Sequence, residues 1–400
     1  MELEERLYRV MGYELWVMSY ELKFMKKINV ILFFLAVLTA FVVNAQPPRP
    51  APTPNDTLNS TKVLKDGRVM FSIYAPKASQ VTLSGDFLKE YKPVQLTKND
   101  IGVWSYTSES VTPDVYSYDF LVDGVKTLDP KNVLLKEGEN GYSNYFEVAG
   151  PESAYASIQN VPHGNLQKVW FFSKVTGKMT RFHVYTPPGY EKMKGKLPVL
   201  YLQHGGGDND ASWSTVGRAN FIMDNLYAAQ KAVPMIVVMP MGHPGAGFFM
   251  NPGIDEDPYY KQIFDEIMPL VAEKFRALTD RYHTAYAGLS MGGLQAMNMA
   301  LFSPQRFGYV LPLSTGYFPP QIKLLEEKYA AALRNPEINK LKLFWICMGG
   351  QKDIAYQNGL NCNALFDKFG IKYEKANYDA GHTFITWRHN LAEFAPKLFR

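Results

Sequence analysis

The segment Gly288-Leu289-Ser290-Met291-Gly292-Gly293 lies between an apolar run, Thr284 to Ala287, and a helix-like run from Leu294 to Leu301. A serine flanked by glycines at a strand–turn–helix junction marks a sharp backbone reversal that leaves its hydroxyl exposed at the tip. Such a junction suits a sheet with helices packed against it, and the motif gains weight only from the residues that accompany it. A serine hydroxyl is a poor nucleophile until a base takes its proton. An imidazole does this near neutral pH when a carboxylate fixes its tautomer. Asp353 follows in the turn Gly349-Gly350-Gln351-Lys352-Asp353, and His382 follows in Gly381-His382-Thr383. Asp379 stands too close to His382 along the chain to cross to its Nδ1, which leaves Asp353 as the expected acid.

Ester chemistry at a serine also needs donors for an oxyanion. His204-Gly205-Gly206-Gly207-Asp208 ends the apolar run that begins at Val199, and glycines let main-chain N–H groups face a ligand closely. The expected donors are the backbone N–H of Gly206 and that of Met291, directly after Ser290. His204 and Trp387 are candidate substrate-pocket residues, each with a packing role as the alternative. His163, His183, His243, His283 and His389 lack any partner pattern. No His/Cys cluster has ligand spacing, so neither a metal nor another cofactor is expected.

The start of the chain reads as processing signal rather than fold. Met25-Lys26-Lys27 is basic, Ile28 to Val43 is apolar, and Val43-Asn44-Ala45 is a small-residue exit before Gln46, the pattern of a secretory signal peptide over residues 25–45. Residues 1–24 fit neither a signal nor a domain, which points to translation starting at Met25. The apolar stretch is shorter than the roughly 20 residues of a spanning helix, so no integral membrane segment is expected after cleavage, and the destination is periplasmic or extracellular. The formal net charge of +4 is unchanged by removing residues 1–45, and it is too even to imply nucleic acid as a partner. Cys347 sits in the apolar run Leu343–Cys347 and, with Cys362, is expected to remain an unpaired thiol.

The rest divides into two grammars. Residues 46–60 are proline-rich and linker-like. Residues 61–149 alternate in short runs (Val69–Tyr74, Gln80–Ser84, Gly102–Tyr106, Tyr116–Val122) with Asp123-Gly124 as a hairpin turn, the pattern of a small β-sandwich. Residues 150–400 change to near-continuous apolar runs (Val199–Leu202, Ile236–Met239, Thr284–Ala287, Tyr309–Leu313, Leu343–Cys347), as doubly buried parallel strands do, after an antiparallel opening pair at Val169–Phe172 and Arg181–Tyr185. Helical spacing recurs at Tyr260–Phe275 and His389–Leu398.

Phe71-Ser72-Ile73-Tyr74-Ala75-Pro76, Ser84-Gly85-Asp86-Phe87, Gly102-Val103-Trp104 and Tyr116 through Asp123-Gly124, closing on Leu128-Asp129-Pro130, resemble the early-set immunoglobulin-like modules of carbohydrate-binding family 48. Trp104 and the tyrosines read as sandwich core, so no sugar-binding residue is assigned there.

His204-Gly205-Gly206-Gly207-Asp208, Ala287 through Gly293, Gly349 to Asp353, and Gly381-His382-Thr383-Phe384-Ile385-Thr386-Trp387-Arg388 together resemble carbohydrate esterase family 1, the esterase-D-like branch of the α/β hydrolases. The chain order Ser, Asp, His agrees. That resemblance implies an α/β-hydrolase domain in which Ser290 is nucleophile, His382 base and Asp353 orienting acid, without cofactor. It also implies a secreted esterase acting on feruloylated xylan or oligosaccharide, with acetylated xylan next, and with pocket shape set by loops such as Gly242 to Asp257. Two further enzymatic readings within the same branch are a siderophore trilactone esterase and a sugar acyltransferase; a non-catalytic carbohydrate-binding protein is the third. Every catalytic candidate lies after residue 160, so the chemistry is expected not to need the sandwich.

Overall fold

The computed structural model describes residues 2–43, 51–243, 252–255 and 257–400. Those residues form two compact units, 1–56 and 57–400. In the first, helix α1 runs through Glu2–Val43, so the expected start at Met25 falls inside a continuous helix. The proposed cleavage point, Asn44 to Gln46, and the first residues of the linker lie outside the described residues. Among the described residues no helix is long and apolar enough to cross a membrane.

The second unit begins with a β-sandwich. One antiparallel sheet contains β1 (Lys62–Val63), β2 (Val69–Tyr74), β6 (Val103–Thr107) and β5 (Thr97–Lys98), in that spatial order. The other contains β4 (Val94–Gln95), β3 (Val81–Gly85), β7 (Val115–Val122), β10 (Gly141–Glu147) and β9 (Leu135–Gly138), with β8 (Val125–Thr127) also paired to β7. Period-two alternation sends Val69, Phe71 and Ile73 of β2, with Val81 and Leu83 of β3, into a shared core. Trp104, Tyr116 and Tyr118 lie in that core, and Trp104 Nε1 donates to Ala75 O. The turn between β7 and β8 has left-handed Asp123 (φ 48°) and Gly124 (φ 82°), as the expected hairpin requires.

An eight-stranded sheet follows, in the order β11 (Asn165–Ser173), β12 (Lys178–Thr186), β14 (Ile236–Pro240), β13 (Val199–Gln203), β15 (Thr284–Leu289), β16 (Tyr309–Leu313), β17 (Leu343–Met348) and β18 (Glu374–Asn377). The opening pair is antiparallel and β13 to β18 run parallel. Alternate residues of the central strands face opposite helix layers. Val199, Tyr201, Tyr286, Val310 and Phe344 meet α4 (Pro258–Gln262), α5 (Met268–Lys274), α6 (Met291–Phe302), α7 (Pro319–Lys328) and α9 (Tyr356–Lys368). Leu200, Leu202, Ala287, Leu311 and Trp345 meet α3 (Ala219–Ala228) and α10 (Phe384–Phe394). Burial of a leucine such as Leu200 or Leu311 stabilises this core by about 2 kcal/mol. This is the expected α/β-hydrolase domain after an all-β sandwich. The chain leaves β13 for β14 on one side while β15 lies on the other, and this reversal opens a crevice at the carboxyl ends of β13 and β15.

Sandwich and sheet are joined by buried charge. Arg388 of α10 reaches Asp114 beside β7 at 2.6 Å, and Arg218 reaches Glu147 of β10 at 3.1 Å. Arg181 of β12 pairs with both Glu137 of β9 and Asp210.

Candidate active site

Loops leaving the carboxyl ends of β13, β15, β16, β17 and β18 supply the candidate residues. Ser290 stands between β15 and α6 with φ 53° and ψ −113°, a backbone state that a non-glycine residue holds only when its surroundings impose it. Its N–H donates to Leu313 O at 2.8 Å, and its own carbonyl accepts from Leu294 N at 2.9 Å. A side chain at Gly288 would stand 2.2 Å from Gly292 O, so strand and helix approach here as only glycine permits. Met291 opens α6, where N–H groups lack partners within the helix.

The glycine loop after β13 lies against this turn. A Cβ on Gly205 would stand 3.3 Å from Ser290 Cβ, and one on Gly292 would stand 2.5 Å from His204 O. Gly206 has open space where a side chain would be. His204 itself is buried. Gly242 N–H donates to its Nε2, and its Nδ1 faces Gly205 O, so both ring nitrogens are engaged. Burial pushes its pKa down to about 4 against the smaller opposing effect of Asp208, and the ring is neutral at pH 7.

Asp353 is buried in the turn after β17 and faces His382 Nδ1 at 2.7 Å. Its Oδ1 also accepts from Ala355 N and its Oδ2 from Gly349 N, both at 2.9 Å. Burial alone would raise the carboxyl's pKa, but hydrogen bonds from His382, Ser314 and Ala355 outweigh it and hold it below the usual range. A carboxylate bonded in this way fixes the imidazole at Nδ1 and leaves its Nε2 for proton transfer. Asp379 is exposed and has no bond to His382.

Ser290 and His382 open onto one cavity of about 260 Å³, walled further by Leu294, Thr315, Phe318, Ile354, Ala355 and Asn358. Trp387 lies outside that wall. Its ring meets His382 edge-on with centroids 5.2 Å apart, and its Nε1 donates to Ser314 Oγ at 2.9 Å. Neither of the suggested pocket residues, His204 and Trp387, lines this cavity among the described residues, though Ser314, which accepts from Trp387, does. The Gly242–Asp257 loop lies partly outside the described residues, at 244–251 and 256. The cavity wall from the loops after β16 and Asp353 was not singled out from sequence. Ile354 of that wall, next to Asp353, is an apolar residue left 83% exposed. Cys347 and Cys362 are buried free thiols, and burial pushes the Cys362 thiol up to about 12.

Comparison with known proteins adds three findings. The family model described as "Putative esterase" matches residues 173–398, and "Carbohydrate-binding module 48 (Isoamylase N-terminal domain)" matches residues 58–135. An endo-1,4-beta-xylanase/feruloyl esterase of Xylanibacter ruminicola is 34% identical over 357 residues, 84% of this chain and 46% of that protein. Endo-1,4-beta-xylanase Y of Acetivibrio thermocellus is 28% identical over 44% of this chain and 17% of its own length. The chain thus spans less than half the length of these curated relatives. Among solved structures, a ferulic acid esterase superposes with TM-score 0.52 at 24% identity, covering 59% of this chain and 98% of that one. The enterobactin esterase of Shigella flexneri superposes with TM-score 0.63 at 18% identity, covering 83% and 92%.

Proposed function

The chain belongs to the putative esterase family, a carboxylic ester hydrolase by that membership, and on this premise we propose that it is an exported serine esterase that removes feruloyl groups from xylan. The observation that carries the reading is a shared cavity, among the described residues, onto which Ser290 and His382 both open. Its volume of about 260 Å³ is several times the roughly 30 Å³ that one water occupies in the liquid, enough for a flat aromatic acid and more than an acetyl group uses. The largely aliphatic and aromatic wall suits a phenolic acyl chain, and Thr315 and Asn358 offer polar atoms to its substituents. Kinship with a xylanase/feruloyl esterase supports the same substrate class.

In this mechanism His382 Nε2 takes the proton of Ser290 as its Oγ attacks the ester carbonyl, with Asp353 holding the imidazole at Nδ1. The negative charge that develops on the carbonyl oxygen is received by the N–H groups of Gly206 and Met291. His382 then gives its proton to the departing sugar hydroxyl, leaving an acyl-enzyme. The same imidazole deprotonates a water that attacks the acyl carbon, and the acid leaves as Ser290 regains its proton. Export rests on the residue 25–45 signal pattern.

The test compares kcat/KM on methyl ferulate, acetylated xylan, a chromogenic acetate and a trilactone siderophore. Methyl ferulate is expected to lead. A trilactone or acetylated xylan in first place would replace the feruloyl assignment.

A further inference from the structure

The hairpin between β9 and β10 belongs to the sandwich, yet it pairs with the glycine loop beside Ser290. Glu139 N–H donates to Gly207 O at 2.9 Å, and Gly138 and Asp208 form an isolated antiparallel bridge. Lys136 Nζ lies 2.6 Å from Asp208 Oδ1, and both side chains are largely withdrawn from solvent. Two side chains just beyond the loop return the contact: Asn209 Nδ2 donates to Gly138 O at 3.3 Å and Ser212 Oγ to Glu137 O at 3.1 Å. The backbones are so close that a Cβ on Gly138 would stand 2.9 Å from Gly207 O.

Glycine loops are costly to hold in one conformation, because each glycine adds accessible backbone states. Gly205, Gly206 and Gly207 are consecutive, and Gly207 sits at φ 75°. One bond inside the loop, Asp208 N–H to Gly205 O at 3.3 Å, closes the turn around Gly206, and contacts from outside add to it. On one side His204 is tied to Gly242. On the other, the fixing bonds come from the sandwich.

We propose that the β9–β10 hairpin is a positioning element for the oxyanion loop, so that the carbohydrate-binding-module-like domain sets the geometry of catalysis through Lys136, Gly138 and Glu139. This rests on the reading of Gly206 as an oxyanion donor. Oxyanion donors act on the transition state, where removing one costs about 10²–10³ in kcat, and a displacement of the order of 1 Å can cost about 10². Partial release of the loop therefore lowers kcat while leaving ground-state binding in the cavity almost untouched.

The experiment uses the full chain and a chromogenic acetate, with kcat expressed per serine titrated by a phosphonate. Gly138→Val, which drives a side chain toward Gly207 O, is expected to lower kcat by about 10-fold or more, with KM within about twofold. Lys136→Ala is expected to lower kcat in the same sense and Lys136→Arg to restore it. Both Lys136 variants should keep the wild-type circular dichroism spectrum, Lys136→Ala with a lower melting temperature because it leaves the Asp208 carboxylate unpaired, while Arg68→Ala, which breaks a surface pair with Asp66 elsewhere on the sandwich, should leave the melting temperature and kcat unchanged. If Gly138→Val does not fold, the Lys136 pair decides. Folded Lys136 variants with wild-type kcat overturn the proposal. A wild-type protein that cleaves no ester and whose Ser290 resists the phosphonate overturns the functional reading beneath it instead.

Discussion

The guanidinium of Arg388, fully buried in α10, stands 2.6 Å from the carboxylate of Asp114, which precedes β7 in the sandwich. Arg388 also donates to Val115 O and Val216 O, so it ties the helix that follows His382 to both the sandwich and the α3 side of the sheet. Burial would raise the Asp114 carboxyl, but the Arg388 charge and hydrogen bonds from His389 and Val115 hold it below the usual range. A carboxyl with a lowered folded-state pKa contributes stability that is present above the unfolded value of about 3.9 and is lost as pH falls through the folded value. Asp114→Asn leaves a buried guanidinium unpaired and is expected to cost about 3–5 kcal/mol at pH 7. Urea titrations across pH should also show a shallower acid limb than wild type. An unchanged midpoint at pH 7 would mean that water or neighbouring carbonyls suffice for Arg388.

The same contacts change what to expect of a chain begun near Ala154. It keeps Ser290, Asp353 and His382 but loses Asp114, Glu137 and Glu147, the partners of Arg388, Arg181 and Arg218. Such a truncation is expected to be unfolded by circular dichroism or, if folded, to hydrolyse a chromogenic acetate far more slowly than the full chain. A folded truncation with full-length kcat would restore the sequence-based expectation that the sandwich is dispensable for chemistry.

Ser290→Ala and His382→Ala are each expected to lower kcat by roughly 10³ or more, and Asp353→Asn by orders of magnitude through loss of the correct imidazole tautomer. A serine-directed phosphonate should abolish hydrolysis and add its mass to the peptide containing Ser290, while exhaustive chelation should leave the rate unchanged. Near-normal turnover of Asp353→Asn would remove that residue from the proposed triad.

Sequence carried the parallel strands well, because burial on both faces leaves unbroken apolar runs such as Leu343–Cys347. It carried β18 badly: Glu374–Asn377 is an exposed edge strand with no such run, yet it leads into His382. The hairpin turn at Asp123-Gly124 was legible because its left-handed backbone demands those residue types. The β9 strand, half-buried throughout at Leu135–Gly138, has no periodicity to read. The Asp353–His382 pairing was legible in motif order and spacing. The Lys136–Asp208 pair was not, since it joins residues of two domains through a register that only packing decides. Trp387 suits packing and the pocket equally in sequence; in the structure its ring meets His382 edge-on and its Nε1 donates to Ser314, which lines the cavity.

The cavity beside Ser290 and His382 is proposed to receive the acyl group, and a substitution in its wall tests that. Ala355 lines its wall, while the N–H that it donates to Asp353 Oδ1 belongs to the backbone and survives substitution. Ala355→Leu adds three carbons to the wall and leaves the identities of Ser290, His382 and the proposed oxyanion donors, Gly206 and Met291, unchanged. A methylene in an apolar pocket changes discrimination by about 10–200-fold, so kcat/KM on methyl ferulate is expected to fall at least about 10-fold. On the reading that this cavity receives the acyl group, an acetyl stops short of that wall, and the chromogenic acetate should lose no more than about threefold. The ratio of the two constants is the readout, because a general disturbance of the site would lower both alike. Equal losses on both esters would show that the ferulate ring lies elsewhere, and the assignment of this cavity to the acyl group would fall.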